Sequence, residues 1–245
     1  MKKVILSAFA ILFFGTLLQA QAPLTKDNSK IDLTGRAADH FMVQFGSDAW
    51  TGKPDSVKTS GFSRHFNMYF MYDFPFKKDP HYSVAVGLGI GSSNIFFDNH
   101  TYVDVKSPSA TLPFHHLDSA ANHFSKQKIA TMYLQAPVEL RYYTDPAHPN
   151  SSWKAAVGLK VGTLLKGYTK AKNYVRQDGS SVYGSSYVEK QNNKRWFDAT
   201  DVTLTGRFGY GIVSLDAAYQ VTGVFKDGLG PVVNKFSFGL TISGL

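Results

Sequence analysis

Ionisable side chains in this sequence recur on one face of segments whose residues alternate between two faces. Four are acidic and four are basic, so the set is balanced. In a narrow enclosed space such charges must pair, because the desolvation of an isolated ion is too costly. We predict an ion-pair network that fills the interior of the fold; a proton or ion path along the same residues is the alternative. The residues are Asp73, Glu139, Arg141, Lys154, Lys160, Asp201, Arg207 and Asp216.

Three histidines are the candidates for a metal site. His115, His116 and His123 lie in one polar stretch, and three imidazoles could bind zinc. No carboxylate-histidine spacing of a known zinc site accompanies them, and adjacent histidines do not easily share one tetrahedral ion. We therefore interpret them as solvated histidines and predict neither a metal nor a cofactor.

A hydrolytic site would need a nucleophile, a base and an orienting group that converge. Ser63, His65 and Asp73 share one segment, but about eight residues separate His65 from Asp73, which is over ~25 Å of extended chain. No nucleophile-elbow sequence occurs either. We predict that the protein is not an enzyme.

The start of the chain predicts export. Lys2 and Lys3 precede an apolar run of about fifteen residues, 4–18, which is shorter than the roughly twenty that a spanning helix needs. We predict a signal peptide over residues 1–20, a periplasmic leader over 21–37 and a single barrel domain over 38–245. The chain has no cysteine, which excludes a lipoprotein anchor and disulfides.

The main chain alternates with a period of two in eight segments, which is typical of β-strands. From Phe66 to Phe74, for example, every even position is large and apolar. The ionised residues lie on the opposite face with small residues such as Gly87 and Gly89. A soluble barrel would place its charges outside, whereas a barrel in lipid places them inside. We predict an all-β fold, a transmembrane antiparallel up-and-down β-barrel of about eight strands.

The connections between these segments alternate between longer and shorter ones. The long ones include residues 98–126 and 168–200, and the shortest is a tight turn near 209–211. Membrane barrels place long loops outside and short turns in the periplasm, so both termini are predicted to be periplasmic in the bacterial outer membrane. Aromatic residues near the segment ends predict two interfacial girdles: Trp50, Tyr72, Phe74, Phe76, Phe96, Phe97, Tyr142, Tyr143, Trp153 and Tyr210.

The fifth connection is rich in basic and aromatic residues. Such patches can bind nucleic acid, but a surface loop of an exported protein is not expected to meet it. We predict contact with outer-membrane lipid and lipopolysaccharide through their anionic headgroups, with recognition of a partner or glycan as the alternative. The proposed contact residues are Lys170, Lys172, Arg176, Lys190, Lys194 and Arg195.

Several segments resemble one known family. The stretch 132–143, MYLQAPVELRYY, is similar to the YLxxPxxLxY strand of the PorT-like outer-membrane barrels of Bacteroidetes, and 156–162 and 216–219 resemble two later strands. The resemblance implies an outer-membrane barrel and an accessory role in protein secretion, with a secretion-system or surface protein as partner. The chain departs from such barrels in ending with Leu245 rather than the aromatic residue read by the barrel-assembly machinery.

These observations predict an integral outer-membrane β-barrel with a plugged lumen and extracellular loops for surface contact or binding, without catalysis. The alternatives are an accessory of protein secretion across the outer membrane and a small-solute, porin-like channel. A soluble lipocalin-like carrier is disfavoured by the inward placement of the charges.

Overall fold

The computed structural model describes residues 40–117 and 122–244. The predicted signal peptide and leader, 1–20 and 21–37, lie outside the described residues, as does Leu245. No helix in the described ranges has the length and hydropathy needed to cross a membrane. The strands are β1 (Phe41–Thr51), β2 (Arg64–Pro75), β3 (Tyr82–Phe97), β4 (Thr101–Val103), β5 (Phe114–His116), β6 (His123–Tyr143), β7 (Trp153–Val175), β8 (Val188–Asn192), β9 (Thr200–Tyr210), β10 (Val213–Gln220) and β11 (Asn234–Ser243).

Eight of these strands close into a ring. The order around it is β1, β2, β3, β6, β7, β9, β10 and β11, and β11 pairs back onto β1. All eight pairings are antiparallel. The predicted up-and-down β-barrel is thereby confirmed. Outside the ring, β4 and β5 form a small hairpin, and β8 pairs with β7.

The outer face of the ring is apolar. On β6 the outward positions run from Met132 to Tyr142 without a charge, which matches the about 9–11 residues of a membrane-spanning strand. On β2 the outward side chains of Phe70 and Tyr72 are 63% and 54% exposed. Such an extended apolar surface is unsuited to water but suits lipid.

Small residues on the inner face make room for large ones opposite them. A Cβ atom on Gly89 of β3 would overlap the carbonyl oxygen of Met68 and the ring of Tyr69, and one on Gly91 would overlap the side chain of Gln135. The glycine-rich inner face of β3 therefore leaves room for long polar side chains of the neighbouring strands to enter the interior. This is the physical reason for the glycine alternation in the sequence.

The two ends of the barrel differ in their connections. Residues 76–81, 144–152 and 211–212 form short turns at one end, and 52–63, 98–117, 176–199 and 221–233 lie in longer links at the other. We call these the short-turn end and the long-link end. The tightest turn requires Gly211, which adopts a φ of 60°. Strand β1 begins and β11 ends at the short-turn end.

Two strands are longer than the hydrophobic alternation predicted. Strand β6 already begins at His123, and β7 continues to Val175 into the predicted fifth connection, which also contains β8. Apolar alternation stops where the apolar surroundings stop. Backbone pairing does not, because main-chain hydrogen bonds need no apolar side chains.

The residues predicted for the aromatic girdles divide between the outer face and the interior of the barrel. Trp50, Phe97 and Tyr143 are buried, at 6%, 2% and 1% exposure, so their assignment to the outer surface was wrong. Each has the inward parity of its strand, which the cluster of aromatic residues in the sequence obscured. Of the residues predicted for the girdles, those with exposed rings at the short-turn end are Tyr72, Phe74, Phe76, Tyr142, Trp153 and Tyr210.

A pair of matched substitutions tests whether lipid covers the outer face. Phe70 in β2 and Phe62 in the 52–63 link are both 63% exposed. In water, F70K and F62K would have similarly small effects. In lipid we expect F70K to lower the free energy of unfolding by about 2–4 kcal/mol and F62K by at most about 1 kcal/mol. Urea unfolding in lipid vesicles measures both, and equal effects would contradict a lipid-covered surface.

Candidate functional site

The structure places all eight predicted network residues inside the barrel. Seven of them are at most 6% exposed, and the side chain of Asp73 is 3% exposed. They come from five strands: Asp73 from β2, Glu139 and Arg141 from β6, Lys154 and Lys160 from β7, Asp201 and Arg207 from β9, and Asp216 from β10.

Glu139 is the centre of a buried ion-pair cluster. Its Oε2 atom accepts hydrogen bonds from Arg141 Nε at 2.9 Å and Arg207 Nη2 at 2.8 Å. Arg141 Nη1 also lies 3.7 Å from Asp73 Oδ1, which accepts a hydrogen bond from Ser83. Two carboxylates thus face two guanidinium groups. Buried charge is tolerated in this form, because each ion has a counter-ion and directional hydrogen bonds.

A second set of polar contacts crosses the lumen from side to side. Lys160 of β7 donates to Gln44 Oε1 of β1 at 2.8 Å. In the ring of eight these two strands are four places apart in either direction, so they lie opposite each other. Gln44 donates to Thr241, and Thr241 donates to Asp216 at 2.8 Å. Side chains therefore occupy the diameter of the barrel at this level.

The other predicted charges bond to neutral side chains. Asp201 accepts hydrogen bonds from Thr203 and Gln135, and Gln135 in turn accepts one from Tyr69 at 2.6 Å. Lys154 donates to Ser243 at 2.8 Å. Amides and hydroxyls as well as ions therefore make up the network, and sequence parity alone did not identify Gln44, Gln135 or Tyr69 as its members.

A further polar cluster inside the barrel was missed by the sequence analysis. Asp48 Oδ1 lies 2.8 Å from His65 Nδ1 and accepts a hydrogen bond from Ser237 at 2.6 Å, and its other oxygen contacts Ser93. Both serines bind the carboxylate rather than the imidazole, so they are not placed as nucleophiles activated by His65. The inward parity of Asp48 on β1 was the available signal.

Apolar side chains fill the barrel at the long-link end. Inward residues of the strands pack there against residues of the links, and Trp196 Nε1 donates to the carbonyl of Val105 at 2.8 Å. We call this cluster the apolar cap. Its buried members are Trp50, Val57, Ile95, Phe97, Val103, Val105, Leu112, Ile129, Trp196, Phe197, Val224, Phe225 and Val233.

Cavities inside the barrel are small, and larger ones lie towards the long-link end. Two internal cavities, lined by residues such as Thr131 and Asn67, measure about 10 and 20 Å³, enough for roughly one water molecule each. A groove of about 510 Å³ lies along the extensions of β3, β6 and β7, and a cleft of about 400 Å³ lies beside β4. Space for a ligand is therefore on the surface of this end.

The cleft beside β4 is lined by stacked aromatic rings. The ring of Phe124 stacks on Tyr102 at 5.9 Å and contacts Tyr174 at 4.9 Å, and the rings of Tyr183 and Tyr187 are 4.9 Å apart. Burial raises the pKa of Tyr102 above the ordinary value of a tyrosine. This cleft is a candidate contact surface. Three of its rings belong to the predicted fifth connection, whereas Tyr102 and Phe124 come from earlier in the chain and were not identified from residue types.

The six basic residues predicted in the fifth connection do not form one patch. Lys170 and Lys172 lie in β7 and Lys190 in β8, side by side with Lys128 and Lys126 of β6. Arg195 lies beside the apolar cap, where it donates to the Ser109 carbonyl and covers the ring of Trp196. Arg176 bonds to Ser180 in a turn, and Lys194 lies in the link that follows β8.

Metal ligands do not converge in the described ranges. No group of three or more His, Cys, Asp or Glu side chains suited to a metal ion occurs in residues 40–117 and 122–244. His115 lies in β5 and stacks on Tyr102 at 6.4 Å, and the ring of His123 in β6 stacks on His100 at 5.5 Å.

Comparison with known proteins identifies the family of the chain. No curated protein matches it. Among solved structures it is similar to Ail, the attachment invasion locus protein of Yersinia pestis, in complex with the heparin analogue sucrose octasulfate, with 14% identity, a TM-score of 0.39 and coverage of 83% of this chain and 94% of that one. It is also similar to the Yersinia pestis outer membrane protein Ail in a phospholipid bilayer nanodisc, with 14% identity, a TM-score of 0.28 and coverage of 84% of this chain and 99% of that one. The family model described as outer membrane protein beta-barrel domain matches residues 20–241. The chain therefore belongs to the outer-membrane β-barrel protein family.

Proposed function

We propose that this protein is a non-conducting outer-membrane barrel that acts through its long-link end, as a surface for contact or binding, without catalysis. The observation that carries the proposal is the hydrogen bond from Lys160 to Gln44 across the diameter of the lumen. An eight-stranded barrel encloses just enough space for side chains. The polar network fills its middle and the apolar cap fills its long-link end, which leaves the exposed surface of the long-link end as the place for function.

The orientation of the barrel follows from its connections. In outer-membrane barrels the short turns face the periplasm and the long loops face outside. The long-link end would then be extracellular, and both chain termini would be periplasmic. The groove and the aromatic cleft would both be accessible from outside the cell.

Other roles have less support from the geometry. A small-solute channel or a proton path needs a continuous aqueous route, and the cross-lumen contact of Lys160 and the buried ion pairs of Glu139 lie in its way. An accessory role in secretion, implied by the PorT-like resemblance, stays a prediction. Gene deletion followed by an assay of surface-displayed secreted proteins tests it, and unchanged display would remove it.

Planar-bilayer recording tests the plugged lumen. We expect the folded, purified protein to insert without stable conductance steps, because side chains bridge the lumen and the apolar cap covers one end. A heat-unfolded sample provides the background of non-specific membrane leaks. Large, long-lived openings that appear only with the folded protein would overturn the proposal.

A substitution at Glu139 tests whether the ion pairs hold the interior together. E139Q leaves Arg141 and Arg207 with less counter-charge in a buried site, and breaking such a pair costs about 3–5 kcal/mol of folding free energy. The double variant E139Q/R207Q removes one unpaired charge and should recover part of that loss. Urea unfolding in lipid vesicles measures both variants. Equal stability of E139Q and the unsubstituted protein would show that the pairs contribute nothing.

Single cysteines test the orientation, and the absence of native cysteine makes the labelling specific. Ser185 is exposed in the 176–199 link, and Lys78 is exposed in the 76–81 turn. We expect S185C to react with a membrane-impermeant maleimide on intact cells, and K78C to react only after the outer membrane is permeabilised. The reverse pattern would place the long-link end in the periplasm.

A further inference from the structure

Lysines from three neighbouring strands form a row on the outside of the barrel extension. Lys128 of β6 is directly opposite Lys170 of β7, and Lys170 is directly opposite Lys190 of β8. In the next row towards the tip, Lys126 is opposite Lys172. We call Lys128, Lys170 and Lys190 the lysine row.

Like charges placed directly opposite each other destabilise a sheet. Among the described residues, no ion pair involves any of the three lysines. Nearby groups orient the ammonium groups without neutralising them: Lys128 Nζ donates to Asn94 Oδ1 at 2.6 Å, and Lys190 Nζ lies 4.3 Å from the ring centre of Tyr168. The repulsion within the row is therefore left for an external anion to relieve.

A groove adjoins two of the lysines. It measures about 510 Å³, and its lining includes Lys128, Lys170, Arg64 and the rings of Phe62 and Phe96. The Arg64 guanidinium and the Lys128 ammonium both lie against the Phe96 ring, at 5.3 and 5.5 Å from its centre. Cations next to apolar rings suit a ligand that combines anionic groups with a hydrocarbon or sugar surface.

The height of the row on the barrel indicates which anion it meets. Lys128 has the same outward parity on β6 as Met132 and Leu134. It lies four residues beyond the apolar stretch that begins at Met132. The row therefore faces sideways at the level of the lipid headgroups rather than upward into solvent. Burial and the neighbouring charges of Lys170 and Arg64 lower the pKa of Lys128, which an added anion would oppose.

We propose that the lysine row and its groove bind the phosphate groups of the phosphorylated glycolipid in the surrounding outer leaflet. This inference rests on the proposed placement of the long-link end at the cell surface and names the ligand class of that surface. The contact is made at the rim of the barrel wall, not at the tip of a loop. Arg176, Lys194 and Arg195 take no part in it.

Lipid binding to matched variants tests the proposal. The variant K128Q/K170Q/K190Q removes the row. The control K58Q/K106Q/K226Q removes the same charge from three exposed lysines in links of the same end. Native mass spectrometry of the folded proteins counts bound diphosphoryl lipid A. We expect affinity to fall roughly a hundredfold in the row variant, at about fivefold per lysine near an anionic surface, and to change little in the control.

Further measurements separate the remaining outcomes. K128R/K170R/K190R keeps the charge and should retain binding, and fully dephosphorylated lipid A should bind the unsubstituted protein as weakly as the row variant does. Equal losses in the row and control variants would overturn the proposal. So would competition by inorganic phosphate at the concentration at which lipid A saturates the site, because a free anion would then be the ligand.

Folding does not limit the test. Removing like charges should leave the row variant at least as stable as the unsubstituted protein in phosphatidylcholine vesicles. Lipid A should stabilise only the unsubstituted protein and the control variant. These assays measure lipid A binding, so their failure is distinct from a failure of the cysteine-labelling or conductance experiments, which test orientation and the plugged lumen.

Discussion

The rest of this structure depends on one constraint. Polar groups inside the narrow barrel must form hydrogen bonds and ion pairs with one another, because their surroundings cannot solvate them. Glu139 is held between two arginines, and Lys160 reaches the amide of Gln44 on the opposite wall. The Glu139–Arg207 and Lys160–Gln44 contacts each connect strands that are not neighbours in the ring. The interior therefore braces the cylinder from within, and a single unpaired member would carry the cost of a buried charge.

The same constraint explains the uneven distribution of side-chain size. Glycines on β3 stand where Tyr69 and Gln135 extend inward, so empty positions on one strand are filled from the next. At the long-link end the buried side chains change from polar to apolar, and Trp196 packs there with side chains of the strands and links. Pairing of β6, β7 and β8 continues past the lipid level. The wall of the barrel thus becomes an exposed sheet that carries the lysine row and the aromatic cleft.

Much of the candidate site was not predictable from residue order. The inward parity of Glu139 and Arg207 was visible in the alternation, but their contact across β7 depends on barrel closure and shear. Asp48 and His65 lie 17 residues apart and meet because β1 and β2 are staggered in one particular register. Part of the predicted basic loop also proved to be strand, namely the end of β7 and β8, because charged residues continue a ladder without any apolar period.

By itself, the sequence determined the fold class, the ring of about eight antiparallel strands and the inward placement of the charges. It could do so because the two-residue period, and the choice of which face is apolar and which carries the charges, are local properties of each strand. Only the tertiary structure decided which inward groups touch, which aromatic rings enter the apolar cap and which lysines stand side by side. Those contacts depend on register, ring closure and strand length beyond the lipid, which are set by the pairing of all strands together.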